Sequence, residues 1–126
     1  MAKRSTEDPR LVRLTGICLA LPEATSDRCG QHAGFYVRKR TFAYFLNDHH
    51  GDGIVGLNCK VLAGDNKILA AAQPDRFYIP AYLGSKGWAG LRLDVSEIDW
   101  EEVTELVSGS YRLVAPKRLA ALVKQG

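Results

Sequence analysis

The chain has 126 residues, of which 46% are hydrophobic, 25% charged and 9% aromatic, with a formal net charge of +3. That is enough for one core and too little for two, since single domains commonly run to about 100–150 residues, and the composition excludes disordered, collagen-like and coiled-coil chains. Arg, Asp or Gly interrupts every apolar run well short of the roughly 18–20 residues of a spanning helix, and the polar N-terminus lacks a signal-peptide core, so a cytoplasmic protein with no membrane partner is expected.

The whole chain, 1–126, reads as one domain with residues 1–6 frayed. Asp8-Pro9 reads as an N-cap followed by proline at the first helical position, and a helix is predicted over residues 9–21. Leu11, Leu14, Cys18 and Leu21 lie on one face of it, Ile17 widens that face, and Pro22 ends it. From residue 25 to 61 the pattern becomes β-rich, with strands predicted at 35–37, 41–46 and 54–61 in an antiparallel meander. Arg38-Lys39-Arg40 forms a tight connection, and residues 47–53 form the next, where Gly51 and Gly53 permit positive φ.

Asp65 is predicted to cap a short helix to Ala72 with Ile68, Leu69 and Ala72 inward, closed by Pro74. Strands are predicted at 76–79 and 88–95, the second placing Leu91, Leu93 and Val95 on one face. Asp99 then caps a helix with Trp100, Val103, Leu106 and Val107 inward, broken near Gly109. Pro116 starts a last turn carrying Leu119, Leu122 and Val123. Strands and helices without βαβ alternation imply an α+β two-layer sandwich, an antiparallel sheet with helices on one face.

Charge is unevenly spread along the chain. Asp94, Glu97, Asp99, Glu101, Glu102 and Glu105 crowd one segment, and all 17 Lys and Arg residues lie outside it. Such segregation suits a polyanion on the basic side. It also suits an ordinary helix start complemented by acids and a solubilising surface of cations.

Three cysteines, Cys18, Cys29 and Cys59, without a Cys-x-x-Cys pair, argue against a disulfide framework and a structural zinc site, and Cys18 and Cys59 fall on apolar faces where a thiol acts as a small hydrophobe. Asp48-His49-His50-Gly51-Asp52 is the most metal-like cluster, but adjacent histidines in extended chain point to opposite sides, so no metal is assigned and these remain weak candidates. An enzyme built there would need His32 or Cys29 to converge on the loop. There is no Gly-x-Ser-x-Gly elbow, Ser85-Lys86 is not a dyad by itself, and Gly84-Ser85-Lys86-Gly87 lacks the P-loop spacing. No cofactor and no catalytic residue are implied, and a non-enzymatic protein is expected.

Residues 76–88 interleave cations and aromatics on a glycine-containing connection. Arg and Lys neutralise phosphates, and Tyr or Trp stack on exposed bases. The nucleic-acid candidates are Arg38, Lys39, Arg40, Arg76, Lys86, Lys117 and Arg118 for phosphate and Tyr82 for stacking, with DNA the expected partner. The competing reading makes Phe77, Ile79 and Trp88 core residues and the cations scattered surface. A different class of function, a protein-interaction module using the acidic helix or a sheet edge, would show an apolar groove or a dimer and weak salt dependence.

Several motifs, taken in order, resemble those of the MmcQ/YjbR family of small bacterial proteins. They are Leu21-Pro22-Glu23-Ala24-Thr25, Thr41-Phe42-Ala43, Asp48-His49-His50-Gly51-Asp52-Gly53, Cys59-Lys60, Pro80-x-Tyr82 with Gly87-Trp88, and the run from Ser110 through Tyr111-Arg112-Leu113-Val114-Ala115-Pro116-Lys117-Arg118 to Leu119. The resemblance covers nearly the whole chain. It implies an α+β sandwich arranged like secretion-chaperone-like domains and a proposed DNA-binding role, with no catalytic residue or cofactor to carry over. Gly84-Ser85-Lys86-Gly87 stands where many members have an Asn-Lys-Lys-like stretch, leaving one fewer cation there.

Overall fold

Asp8 accepts the backbone N–H of Arg10 at 2.9 Å, and Pro9 opens α1 (Pro9–Leu19) with Leu11, Leu14 and Cys18 buried. The computed structural model describes residues 8–48, 51 and 53–123. The helix stops short of the predicted Leu21 because proline disfavours helical backbone in the residue before it. Leu21 N–H instead bonds back to the Cys18 carbonyl at 3.1 Å.

Six strands follow in one antiparallel sheet: β1 (Ala24–Cys29), β2 (His32–Val37), β3 (Arg40–Asn47), β4 (Val55–Lys60), β5 (Phe77–Tyr78) and β6 (Trp88–Arg92), in the order β1-β2-β3-β4-β6-β5. β1 was not among the predicted strands. Its sequence, Ala-Thr-Ser-Asp-Arg-Cys, is exposed from Thr25 onward, and an edge strand that buries little carries no apolar alternation to find. Between β2 and β3 the register slips at Phe35/Tyr36, which makes Phe42 the extra residue of a bulge. Phe42 and Ala43 are consecutive and both fully buried, as a bulge permits.

The buried side of the sheet carries Ala33, Phe35, Val37, Phe45, Leu57, Cys59 and Leu91, packed against α1 and α3 (Trp100–Val114). Asp99 caps α3 by accepting from Glu101 N and Glu102 N. The predicted break at Gly109 does not occur. A glycine costs a helix only about 1 kcal/mol, and the buried Val107, Ser110 and Tyr111 on either side hold the turn to the sheet. Tyr111 meets the Phe42 ring edge-on at 5.4 Å and donates its hydroxyl to the Pro22 carbonyl.

α2 (Asp65–Ala72) starts from Gly64 at φ 87, with Asp65 inside the helix rather than capping it. Leu69 reaches the core, but Ile68 and Ala72 are exposed. The helix is instead anchored by Asn66, which is buried and donates its amide to the Gly84 and Trp88 carbonyls at 3.0 and 2.9 Å. A polar anchor leaves no apolar periodicity. β6 ends at Arg92, so Leu93 is buried and Val95 exposed, and in α4 (Lys117–Ala120) and the turn after it Leu119 is buried while Leu122 is exposed. The architecture is the expected α+β arrangement, and among the described residues no helix is long and apolar enough to cross a membrane.

Candidate nucleic-acid interface

Pairing between strands fixes which side chains share the face of the sheet turned away from the core. Asp27, Gly34, Tyr44, Asn58, Gly90 and Tyr78 form one row across all six strands. Strand neighbours alternate sides, so this face carries aromatics and glycines where the other carries the core. The glycines matter sterically: the Tyr78 ring lies across Gly90, where a Cβ would collide with ring carbons. The ring therefore lies down on the sheet, and its hydroxyl donates to Asn58 Oδ1 at 2.8 Å.

Beside this row runs a groove of about 470 Å³, floored by Tyr44, Leu46, Asn58 and Tyr78 and walled by residues 79–83. Tyr82 stands on its rim, 85% exposed and held at φ 67. Left-handed backbone costs a bulky residue about 1–2 kcal/mol, and an exposed ring gains nothing from burial. The segment is clamped from two sides: Ser85 Oγ donates to the Tyr82 carbonyl at 3.0 Å, and Asn66 holds the Gly84 and Trp88 carbonyls.

A second hollow of about 340 Å³ gathers Lys39, Arg40, Thr41, Lys60 and Trp88. It exists because the hairpin joining β2 to β3 has only two central residues, Arg38 at φ 50 and Lys39 at φ 69. Both left-handed is the geometry of a type I′ turn, usually taken by Asn or Gly. Arg38 is bridged to Glu23 through two hydrogen bonds at 2.5 and 3.1 Å, and the guanidinium holds the Glu23 carboxyl below its usual range, with Arg118 adding to the effect. Lys39, Arg40 and Lys60 enter none of the ion pairs found among the described residues. Trp88 belongs to this hollow and Tyr44 to the groove, and their rings touch at 5.8 Å between centroids, so the two hollows share a wall.

Of the residues singled out from sequence, Lys39, Arg40 and Tyr82 come to this surface, while Arg38 stands at the tip with its charge engaged by Glu23. Lys86 is exposed at the end of a 3-10 turn (Gly84–Lys86), and Lys117 and Arg118 are exposed on α4. Arg76 is paired with Glu102, hydrogen-bonded to Gln73 and laid over the Phe77 ring at 5.3 Å. Tyr78 was read only as part of the 76–88 segment, and Tyr44, Asn58 and Lys60 were missed. Their signal is the alternation in β3 and β4, where Tyr44 sits between Ala43 and Phe45, and Asn58 between Leu57 and Cys59.

The loop candidates for metal take another course. Asp48 uses its carboxylate to accept Gly53 N–H at 2.7 Å, a local turn contact. His49, His50 and Asp52 lie outside the described residues. Cys29, His32 and Asp48 line one hollow, with His32 Nδ1 accepting Asn47 N–H at 3.1 Å, and among the described residues no three metal-ligating side chains gather. Burial pushes the Cys18 and Cys59 thiols up, away from thiolate chemistry.

The family model described as YjbR matches residues 19–113. Among solved structures, the chain is similar to the Deinococcus radiodurans protein DR2400, which carries family-model domain DUF419, at 26% identity and a TM-score of 0.65, over 82% of this chain and 76% of that one. No curated protein matches.

Proposed function

The chain belongs to the YjbR family, and we propose that this member is a non-enzymatic, cytoplasmic nucleic-acid-binding protein whose ligand, DNA, lies along the open face of the sheet. Lys39, Arg40 and Lys60 contact phosphate, Lys86, Lys117 and Arg118 extend the basic footprint, and Tyr82 stacks on a base. The observation that carries this reading is Tyr82, an aromatic ring held out to solvent on left-handed backbone beside a groove that adjoins three cations outside any described ion pair. Strain kept at an exposed position is characteristic of contact surfaces.

The test is a titration of labelled duplex DNA, single-stranded DNA and RNA across a salt series. Micromolar or tighter binding with a log–log slope equivalent to several released counterions supports the reading. No binding at low salt overturns it and favours the protein-interaction module.

A further inference from the structure

We propose that the groove is a pocket for one unpaired keto nucleobase, its carbonyl oxygen taken by the Asn58 side-chain amide. This inference rests on the nucleic-acid reading above. Asn58 is 2% exposed, on the groove floor, and its Oδ1 is already engaged by the Tyr78 hydroxyl. That bond fixes the amide plane and leaves the Nδ2 donors without an acceptor among the described residues. Buried donors are almost always paired, so a buried amide with idle N–H groups at the bottom of a groove calls for an acceptor from the ligand.

The surroundings define the ligand further. Tyr44, Leu46 and Tyr78 offer flat apolar surface, and Tyr82 on the rim is placed to cover a ring lying on them. A volume of about 470 Å³ falls within the range of small-ligand sites, roughly 300–1,000 Å³. A planar ring with an in-plane carbonyl fits these demands. Thymine, uracil, guanine and cytosine carry such an oxygen, whereas the acceptors of adenine are ring nitrogens, and its usual two-bond contact with an amide needs the Asn58 oxygen that the Tyr78 hydroxyl engages. The cation hollow across the Trp88–Tyr44 wall supplies charge for the adjoining phosphate, which favours a nucleotide over a neutral aromatic. A base still paired inside a duplex cannot enter a groove of this kind, so the strand must be single or opened there.

The experiment measures anisotropy of short labelled oligothymidylate, oligoadenylate and duplex DNA with wild type and Asn58→Leu across a salt series that begins at low salt. Expected is about tenfold tighter binding of oligothymidylate than of oligoadenylate by wild type. Asn58→Leu should abolish that preference with the salt slope unchanged. Nitrogen-labelled wild type provides a second readout independent of whether the variant folds: the Asn58 side-chain NH2 resonance should move with oligothymidylate and stay with oligoadenylate. Equal affinity for the two strands, or an unmoved amide resonance, overturns the pocket and leaves the basic-face reading standing. Failure of all three nucleic acids to bind defeats that reading and the pocket together.

Discussion

Trp88 of β6 and Tyr44 of β3 touch over the intervening strand β4, with ring planes tilted by 39°. The contact is what makes one surface of two hollows, because each ring lines a different one. Removing a cation from the hollow at the Trp88 side should therefore weaken binding of every sequence alike. Lys39→Ala and Lys60→Ala are each expected to lower the log–log salt slope by about one. Arg76→Ala is the internal control: its guanidinium is paired with Glu102, bonded to Gln73 and laid over the Phe77 ring, so the slope should stay and stability should fall by about 1–2 kcal/mol. A slope lowered equally by all three variants would place Arg76 in the interface and contradict this division.

Ser110 joins the helix layer to the sheet at the bulge. Its hydroxyl donates to the Phe42 carbonyl at 2.6 Å and accepts the Lys60 N–H at 2.9 Å. Ser110→Ala leaves two backbone groups of the interior without a partner, each worth about 1–3 kcal/mol. A loss of about 2–6 kcal/mol in urea unfolding is expected, with an unchanged m-value. A loss under about 1 kcal/mol would mean that neither group depends on Ser110 for its partner.

What could be read from the sequence was the core. Leu11, Leu14, Cys18, Val103 and Val107 were expected inward and are buried, because a 3.6-residue period leaves a visible stripe. What escaped was held by polar contacts or by nothing. Asn66 anchors α2 through its amide, β1 is an exposed edge, and α3 passes through Gly109 because tertiary packing outweighs one residue's propensity. The site was half legible for the same reason. Lys39, Arg40 and Tyr82 stand out by residue type, but Asn58 and Tyr44 become partners only through a strand register that a sequence does not display.

Two carboxylates make stability depend on acid. Arg10 hydrogen-bonds Asp8 and holds its carboxyl below the ordinary value against the opposing effect of burial, and Arg92 does the same for Asp94. In the unfolded chain both return to about 3.9, so between the folded and unfolded values the unfolded chain binds more protons and stability rises with pH. The contribution is complete above about pH 5 and is lost as pH falls below about 4. Asp94→Asn should therefore unfold more easily than wild type at pH 7, by about 1 kcal/mol for a partly exposed pair, and the gap should narrow as pH falls below the unfolded value and through the lowered folded one. A gap independent of pH in urea titrations would assign the loss to something other than the Arg92 pair.

Tyr82 should trade stability against affinity. Replacing it by glycine removes left-handed strain of about 1–2 kcal/mol and adds an entropic cost of roughly 0.5–1 kcal/mol for the more flexible residue. With its side chain 85% exposed, little packing is lost. Tyr82→Gly is expected to gain about 0.5–1 kcal/mol, a rise in Tm of roughly 2–5 °C. Stacking contributes about 1–3 kcal/mol per base, so single-stranded DNA should bind at least about fivefold more weakly to the same variant. Opposite signs from one substitution would mark a side chain retained for contact rather than for folding. A variant that is both more stable and equally tight in anisotropy titrations would remove Tyr82 from the interface, and one that is less stable would show that its ring supports the 79–83 wall.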